Sequence, residues 1–217
     1  MFVGDRMSFP VITVHPDLQI QEALHRMHKE NVRRFPVVDQ RGHLVGIVSE
    51  KDLVEALPSD ATSLSIFELH ELLHKITVEE IMTKNVITVD QDTPIEDAAR
   101  LMADHKIGGL PVIRNRDVVG IITETDLFKI FLELMGAHEH GLRVSILVPG
   151  IPEELARLTR AIYENGGHIL TLGTFMGFSS ENREVLMTVA EIDDDKLREA
   201  IEPFVEQIID IRVPHFA

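Results

Sequence analysis

Hydrophobic and polar positions along this chain switch between a period of two and a helical period, and the order of switching recurs. Residues 11–14, Val-Ile-Thr-Val, form a short β-branched run that reads as a strand. After Asp17 the apolar residues Ile20, Ala23, Leu24 and Met27 fall on one face of a helix. Two apolar runs, 35–38 and 44–48, flank a polar turn at 40–43 and read as paired strands, and a helix follows Asp52. The succession then returns. Residues 86–89 repeat the first strand. Thr93, Pro94 and Glu96 open the next helix as N-cap, first-turn proline and capping-box acid. Runs at 110–113 and 118–122 follow as strands, with a helix after Asp126. Beyond Gly136 the order changes to strand 142–148, helix 153–165 ended by Gly166 and Gly167, strands 169–178 and 184–191, helix from 193–195, and strand 207–213. That β-α-β-β-α-β order predicts a ferredoxin-like unit.

The first two units are copies of one another. With Met7 on Met82, an offset of 75, Val11, Ile12, Thr13 and Val14 fall on Val86, Ile87, Thr88 and Val89. Asp17, Ile20, Ala23 and Met27 fall on Asp92, Ile95, Ala98 and Met102, and Pro36-Val37 on Pro111-Val112. One deletion in a turn shortens the offset to 74, and Gly46, Ile47, Glu50, Asp52 and Leu53 then match Gly120, Ile121, Glu124, Asp126 and Leu127. The recurring methionines are expected in the core. The organisation is a first repeat at 1–57, a linker with a short helix at 58–75, a second repeat at 76–136 and a third unit at 137–217. A unit of this size is marginal alone, so the two repeats are expected to pack together.

Composition narrows the function. Of 217 residues 44% are hydrophobic and 26% charged, an ordinary globular balance, and the net charge is −15. The charge divides into −8 over 1–136 and −7 over 137–217, so neither block is basic. Such a field repels nucleic acid and anionic membranes, and neither is expected as a partner. The absence of cysteine excludes disulfides, thiolate catalysis and thiolate metal sites, and suits a cytoplasmic location. The start of the chain carries Asp5 and Arg6 without a signal-peptide core, and the apolar stretch 127–137 is broken by Lys129 and Glu133.

Met-x-x-x-Val-Ile-Thr-Val at Met7 and Met82 (with three intervening residues), Pro-Val at Pro36 and Pro111, and Gly-Ile-Val-Ser-Glu-Lys-Asp and Gly-Ile-Ile-Thr-Glu-Thr-Asp at Gly46 and Gly120 resemble the motifs of CBS (cystathionine-β-synthase) domains. These work in pairs called Bateman modules. The third unit resembles an ACT domain, and nearly the whole chain resembles bacterial CBS–ACT proteins of the acetoin-utilisation type. The fold implied is α+β, two β-α-β-β-α repeats plus a ferredoxin-like domain.

Ser49-x-x-Asp52 and Thr123-x-x-Asp126 each fit a helix-capping box. A helix start also offers backbone N–H groups to phosphate. The resemblance implies that Ser49 and Thr123 contact phosphate, that Asp52 and Asp126 hold the ribose of an adenosine ligand, and that Thr13 and Thr88 line the cleft. The ligand expected is an adenine nucleotide, or S-adenosylmethionine or a dinucleotide, acting as a regulator and not as an obligatory cofactor. Arg33, Arg34 and Lys51 add cation to the first copy, where the second has Gly108, Gly109 and Thr125. The arginines are equally readable as solvated surface groups, and the glycines as a place where a base approaches the backbone.

The third unit departs from the ACT pattern where ligands bind. In Gly150-Ile151-Pro152-Glu153-Glu154-Leu155, Gly150 stands for the family's Asp and Glu153 for its Gly, and His168 follows Gly166-Gly167 in place of Asn. Dimerisation is therefore expected of it rather than amino-acid binding. His70-Glu71-Leu72-Leu73-His74 spells a zinc-hydrolase motif, with His138 or His140 as a third ligand. It falls in the linker of a chain with eleven histidines, so no metal site and no catalysis are expected. Asp193–Asp195 lacks calcium-ligand spacing and reads as acid at a helix start. The reading is a homodimeric, non-enzymatic ligand sensor; the alternative is a structural or dimerisation module whose clefts bind no ligand.

Overall fold

A computed structural model describes residues 1–56 and 76–214. The predicted linker helix and the His70–His74 motif lie outside the described residues. The chain divides into two compact units, Met1–Leu127 and Phe128–Ala217.

The first unit holds both repeats. In the first copy, helix α1 (Val3–Arg6) precedes α2 (Ile20–Glu30), hairpin strands β1 (Arg34–Val38) and β2 (Leu44–Ser49), and helix α3 (Glu50–Glu55). In the second, α4 (Val78–Ile81), β3 (Val89–Asp90), α5 (Ile95–His105), β4 (Gly109–Arg114), β5 (Asp117–Thr123) and α6 (Glu124–Leu134) repeat the order. Helix α6 carries the chain past Leu127 into the second unit. The amphipathic reading of α2 and α5 is met: Ile20, Ala23 and Met27, and Ala98 and Met102, are buried. Both helices end on a left-handed residue, Asn31 and Lys106.

Two local expectations change. Thr93 does not cap α5; its hydroxyl accepts from the Asp90 N–H at 3.1 Å, and Pro94 takes the cap position. A hydroxyl that closes a turn behind itself is not available to the helix ahead. The expected strands at 11–14 and 86–89 shrink to a single bridge between Val14 and Val37 and the two-residue β3. Backbone there is left without a ladder partner, and Val86 and Ile87 face a cavity described below.

The repeats exchange their first segments. Ser8 pairs with Ile121 of the second copy, and Thr83 with Ile47 of the first. Val3 lies in the second copy's core with Val89, Ala98, Met102, Leu110, Val112 and Ile122. Val78 and Met82 lie in the first copy's core with Ile20, Met27, Phe35, Val37 and Leu53. Gly120 and Gly46 make this possible: a Cβ at either would collide with the Met7 or Met82 thioether. Neither repeat as bounded in sequence therefore closes its own core. The spans 1–57 and 76–136 record the duplication, whereas packing crosses between them.

The second unit is a four-stranded sheet in the order β7 (His168–Met176), β8 (Asn182–Ala190), β6 (Leu142–Pro149), β9 (Gln207–Arg212). All pairings are antiparallel. Helices α7 (Glu154–Glu164) and α8 (Asp194–Ile201) pack Leu158, Ile162, Leu197 and Ile201 on Val144, Ile146, Val185, Met187 and Val189. This is the ferredoxin-like topology that the element order predicts. The Asp193 carboxylate caps α8, accepting from Lys196 N–H at 2.9 Å.

Candidate functional site

The site starts from two capping boxes. The Asp52 carboxylate accepts from Ser49 N–H at 2.8 Å and from the Ser49 hydroxyl at 2.7 Å, through the same Oδ2. Asp126 Oδ2 does the same for Thr123, at 2.9 and 2.7 Å. Each box turns the chain from a strand into a helix and fixes where its carboxylate sits. Asp126 is 8% exposed; Asp52 is half-buried. The boxes leave each aspartate one uncommitted oxygen, Oδ1, suited to accept from a ribose hydroxyl.

The same region already commits several of the helix-start donors. Glu50 N–H donates to Arg33 O at 2.8 Å, and Glu124 N–H to Gly108 O at 3.2 Å. Asp52 N–H donates to Ser49 Oγ at 3.3 Å. The Ser49 and Thr123 hydroxyl protons point at carboxylates. Side-chain cations nearby add to what these helix starts offer an anion.

Such cations line a cavity of about 450 Å³ within the first unit. Its volume lies in the range of about 300–1,000 Å³ common for small-molecule sites. Five of the residues singled out in the sequence meet there: Arg33, Arg34, Ser49, Lys51 and Asp52. The second copy contributes Thr83, Asn85, Val86, Ile87, Lys106, Ile107, Gly108 and Gly109, brought in by the segment exchange and by the end of α5. Ile47, Val86, Ile87 and Ile107 supply apolar surface of the kind a purine packs on. Thr13 and Thr88 are half-buried beside Val14 and Val89 and do not line this cavity. Thr123 and Asp126 do not line it either; they form the equivalent box of the other copy.

Lys106 is the residue that linear reading missed. Its counterpart in the first copy is Asn31, and both hold positive φ, 54° and 53°. The one signal available was a helix-ending lysine where the repeat predicts Asn.

Arg34 and the Gly108-Gly109 pair meet across the two copies. The Arg34 guanidinium donates to Gly108 O in the other copy. A Cβ on Gly108 would stand 2.5 Å from Arg34 Nη2, and one on Gly109 2.8 Å from Nη1. The glycines thus make room for the arginine. Burial pulls the Arg34 pKa down, and Glu124 and Asp52 oppose that. A guanidinium held this way joins the two repeats while it lines the cavity.

Elsewhere, a shallow concavity of about 510 Å³ in the second unit is lined by Thr159, Tyr163, Gly166, Gly167, His168, Ile169 and Glu191. Among the described residues no three His, Asp or Glu side chains gather as a metal site, and no helix is long and apolar enough to cross a membrane.

A cavity shared by two exchanged β-α-β-β-α repeats defines a tandem-repeat module, and comparison names its family. The CBS domain model matches residues 3–59 and 78–133, and the chain belongs to the CBS-domain family. Among curated relatives it is 38% identical over 130 residues to an L-aspartate semialdehyde sulfurtransferase of Methanocaldococcus jannaschii, but spans only 23% of that protein's length. It is 30% identical to a CBS domain-containing protein of Dictyostelium discoideum, covering 62% of this chain and 94% of the relative. The CBS domain pair of protein MJ0100, solved with 5′-methylthioadenosine and S-adenosyl-L-methionine, is 38% identical, with 60% of this chain and 95% of that one covered at a TM-score of 0.51. A Vibrio cholerae protein named for acetoin utilization (AcuB) is 31% identical, with 64% and 96% covered and a TM-score of 0.53. The structure of CBSX2 in complex with AMP is 28% identical, with 61% and 97% covered and a TM-score of 0.52.

Proposed function

We propose that the chain is a cytoplasmic regulatory sensor, not an enzyme, which binds an adenosine-containing small molecule in the cavity between its CBS repeats. The observation that carries this reading is the convergence of the Ser49–Asp52 box, an apolar wall and four cationic side chains on one cavity of ligand size. The ligands solved with the related CBS pairs, S-adenosylmethionine, methylthioadenosine and AMP, support the same class. In this reading Asp52 Oδ1 accepts from ribose, the purine packs on Ile47, Val86 and Ile87, and phosphate meets the rim cations. Asp126 does the ribose work in the other copy, and Thr13 and Thr88 stand at the floors of the two clefts.

The second unit is the output, in our reading an ACT-like domain. Helix α6 begins at the Thr123–Asp126 box and its residues run past Leu127 into that unit, so it is the covalent link along which a ligand-linked shift of the box is passed on. Coupling of this kind requires ligand affinity to differ between two states. The partner is a second copy of the chain. In a protein of charge −15, residues 169–180 carry no ionisable side chain. They include most of the edge strand β7 and expose Leu172, Phe175, Met176 and Phe178. A long, uncharged, apolar edge is the surface on which two such anionic chains pair with least repulsion.

Calorimetric titration of the full chain with AMP, ATP and S-adenosylmethionine tests the reading. At least one binds, and Asp52→Ala with Asp126→Ala weakens it. No heat from any of them, or an affinity indifferent to the double substitution, would leave a structural module in place of a sensor.

A further inference from the structure

The rim of the cavity carries more information than the box beneath it. Four cationic side chains, Arg33, Arg34, Lys51 and Lys106, line the cavity against two carboxylates, Glu50 and Asp52. This is a local reversal of sign in a chain of charge −15. Both carboxylates have hydrogen-bond partners of their own. Glu50 Oε1 lies 3.0 Å from His28 Nε2, and Asp52 Oδ2 accepts twice from Ser49.

The cations divide into one that is committed and three that are not. Arg34 is tied to Gly108 O. Arg33 and Lys106 are exposed and have no carboxylate partner among the described residues. Lys51 Nζ stands 3.5 Å from Glu55 with both side chains mostly exposed, a pair weak enough to be released to a stronger anion. The three come from different elements: the entry to β1, the first turn of α3 and the end of α5.

The repeat itself supplies a control. The boxes recur in both copies, but the positions matching Lys51 and Lys106 are Thr125 and Asn31, whereas Gly108, which matches Arg33, lines this same cavity. Lys51 and Lys106 are therefore not part of the shared framework.

We infer that this cavity selects an adenosine ligand bearing two or more phosphates over a monophosphate, and over uncharged 5′-methylthioadenosine or cationic S-adenosylmethionine. The inference rests on the sensor reading above and narrows its chemistry. Separate point charges on flexible stems suit an extended phosphate chain, and each further phosphate adds charge-assisted contacts.

The test is calorimetric titration of the full chain with ATP, ADP, AMP, 5′-methylthioadenosine and S-adenosylmethionine in EDTA, at low and high salt. ADP and ATP bind about tenfold or more tighter than AMP, the uncharged and cationic ligands bind weaker still, and the preference shrinks at high salt. Lys106→Asn, which installs the residue of the other copy and suits positive φ, weakens ADP and ATP about three- to tenfold and leaves methylthioadenosine unchanged. Methylthioadenosine or S-adenosylmethionine binding as well as ADP, or Lys106→Asn without effect on ADP, overturns this inference and leaves the sensor reading standing. Silence from all five ligands overturns both.

Discussion

Asp52 closes its capping box through Oδ2; in the proposed function Oδ1 has a second and separable job, accepting from the ligand. Asp52→Ala loses the box and costs about 1–2 kcal/mol, seen as a lowered unfolding midpoint. Asp52→Asn keeps a carbonyl acceptor for Ser49, so its midpoint stays near wild type while nucleotide affinity falls several-fold. Equal loss of stability in the two variants would show that the carboxylate charge, not the acceptor, holds the turn. Gly109 is a second residue whose role lies in its neighbour. A Cβ there meets Arg34 Nη1 at 2.8 Å and the backbone oxygen of Ile122 at 3.2 Å. Gly109→Ala is expected to destabilise by about 1–3 kcal/mol, and in an Arg34→Ala background the cost shrinks but does not vanish, because the backbone contact remains. A double-mutant cycle by chemical denaturation measures both parts.

At the scale of elements, the exchange of first segments makes an unusual forecast about stability. Val3 is fully buried, but in the core of the copy that begins many residues later. Val3→Ala costs about 1–3 kcal/mol, and the loss of amide protection falls on β3, β4 and β5 and spares β1 and β2. Hydrogen exchange read strand by strand decides it; loss confined to β1 and β2 would contradict the exchange. Much of the element layer was legible in the sequence. The apolar stripes of α2 and α5, the paired strands around Gly46 and Gly120, and the order of the second unit all follow from periodicity. The first strands were not, because a β-branched run specifies an extended chain and not whether a neighbour arrives to pair with it. In both copies that backbone is left largely without a ladder partner. In the second, Val86 and Ile87 turn toward a cavity instead.

For the whole molecule the forecasts concern assembly and pH. Leu172→Glu places a carboxylate on the uncharged edge strand, and in a two-fold pairing of β7 it faces its own copy. The chain is expected to shift from dimer to monomer by sedimentation, with its unfolding midpoint nearly unchanged since Leu172 is exposed. A wild-type chain that sediments as a monomer would remove the second copy as partner. Stability against acid rests on carboxyls whose pKa is lowered. Asp210 is held below its ordinary 3.8 first by the hydrogen bond from Arg212, with Arg143 adding to it. Asp39 is held below 3.8 first by the His43 backbone N–H, with Arg41 adding a second. A lowered folded-state pKa gives stability that is fully present above the unfolded value and is lost as pH falls through the folded one. The unfolding midpoint is therefore flat from about pH 7 to pH 5 and drops below about pH 4. Asp210→Asn makes that drop shallower relative to its own neutral midpoint, and a pH series of melting curves reads the difference.

What this sequence determined by itself is what repeats and what alternates. The duplication, the amphipathic faces, the two Ser/Thr–Asp boxes and the strand–helix order of the last unit are set by local spacing, which the chain carries in one dimension. Tertiary structure decided which copy completes which core and which cations meet. Val3 and Val78 cross to the other repeat because each leaves a sheet whose remaining apolar face the opposite segment covers. Lys106 joins Arg33 and Lys51 only once that crossing brings the end of α5 to the start of α3. Arg34, which reads in the sequence as a cation near phosphate or a solvated surface group, donates to Gly108 O of the other copy, an acceptor that two glycines leave open.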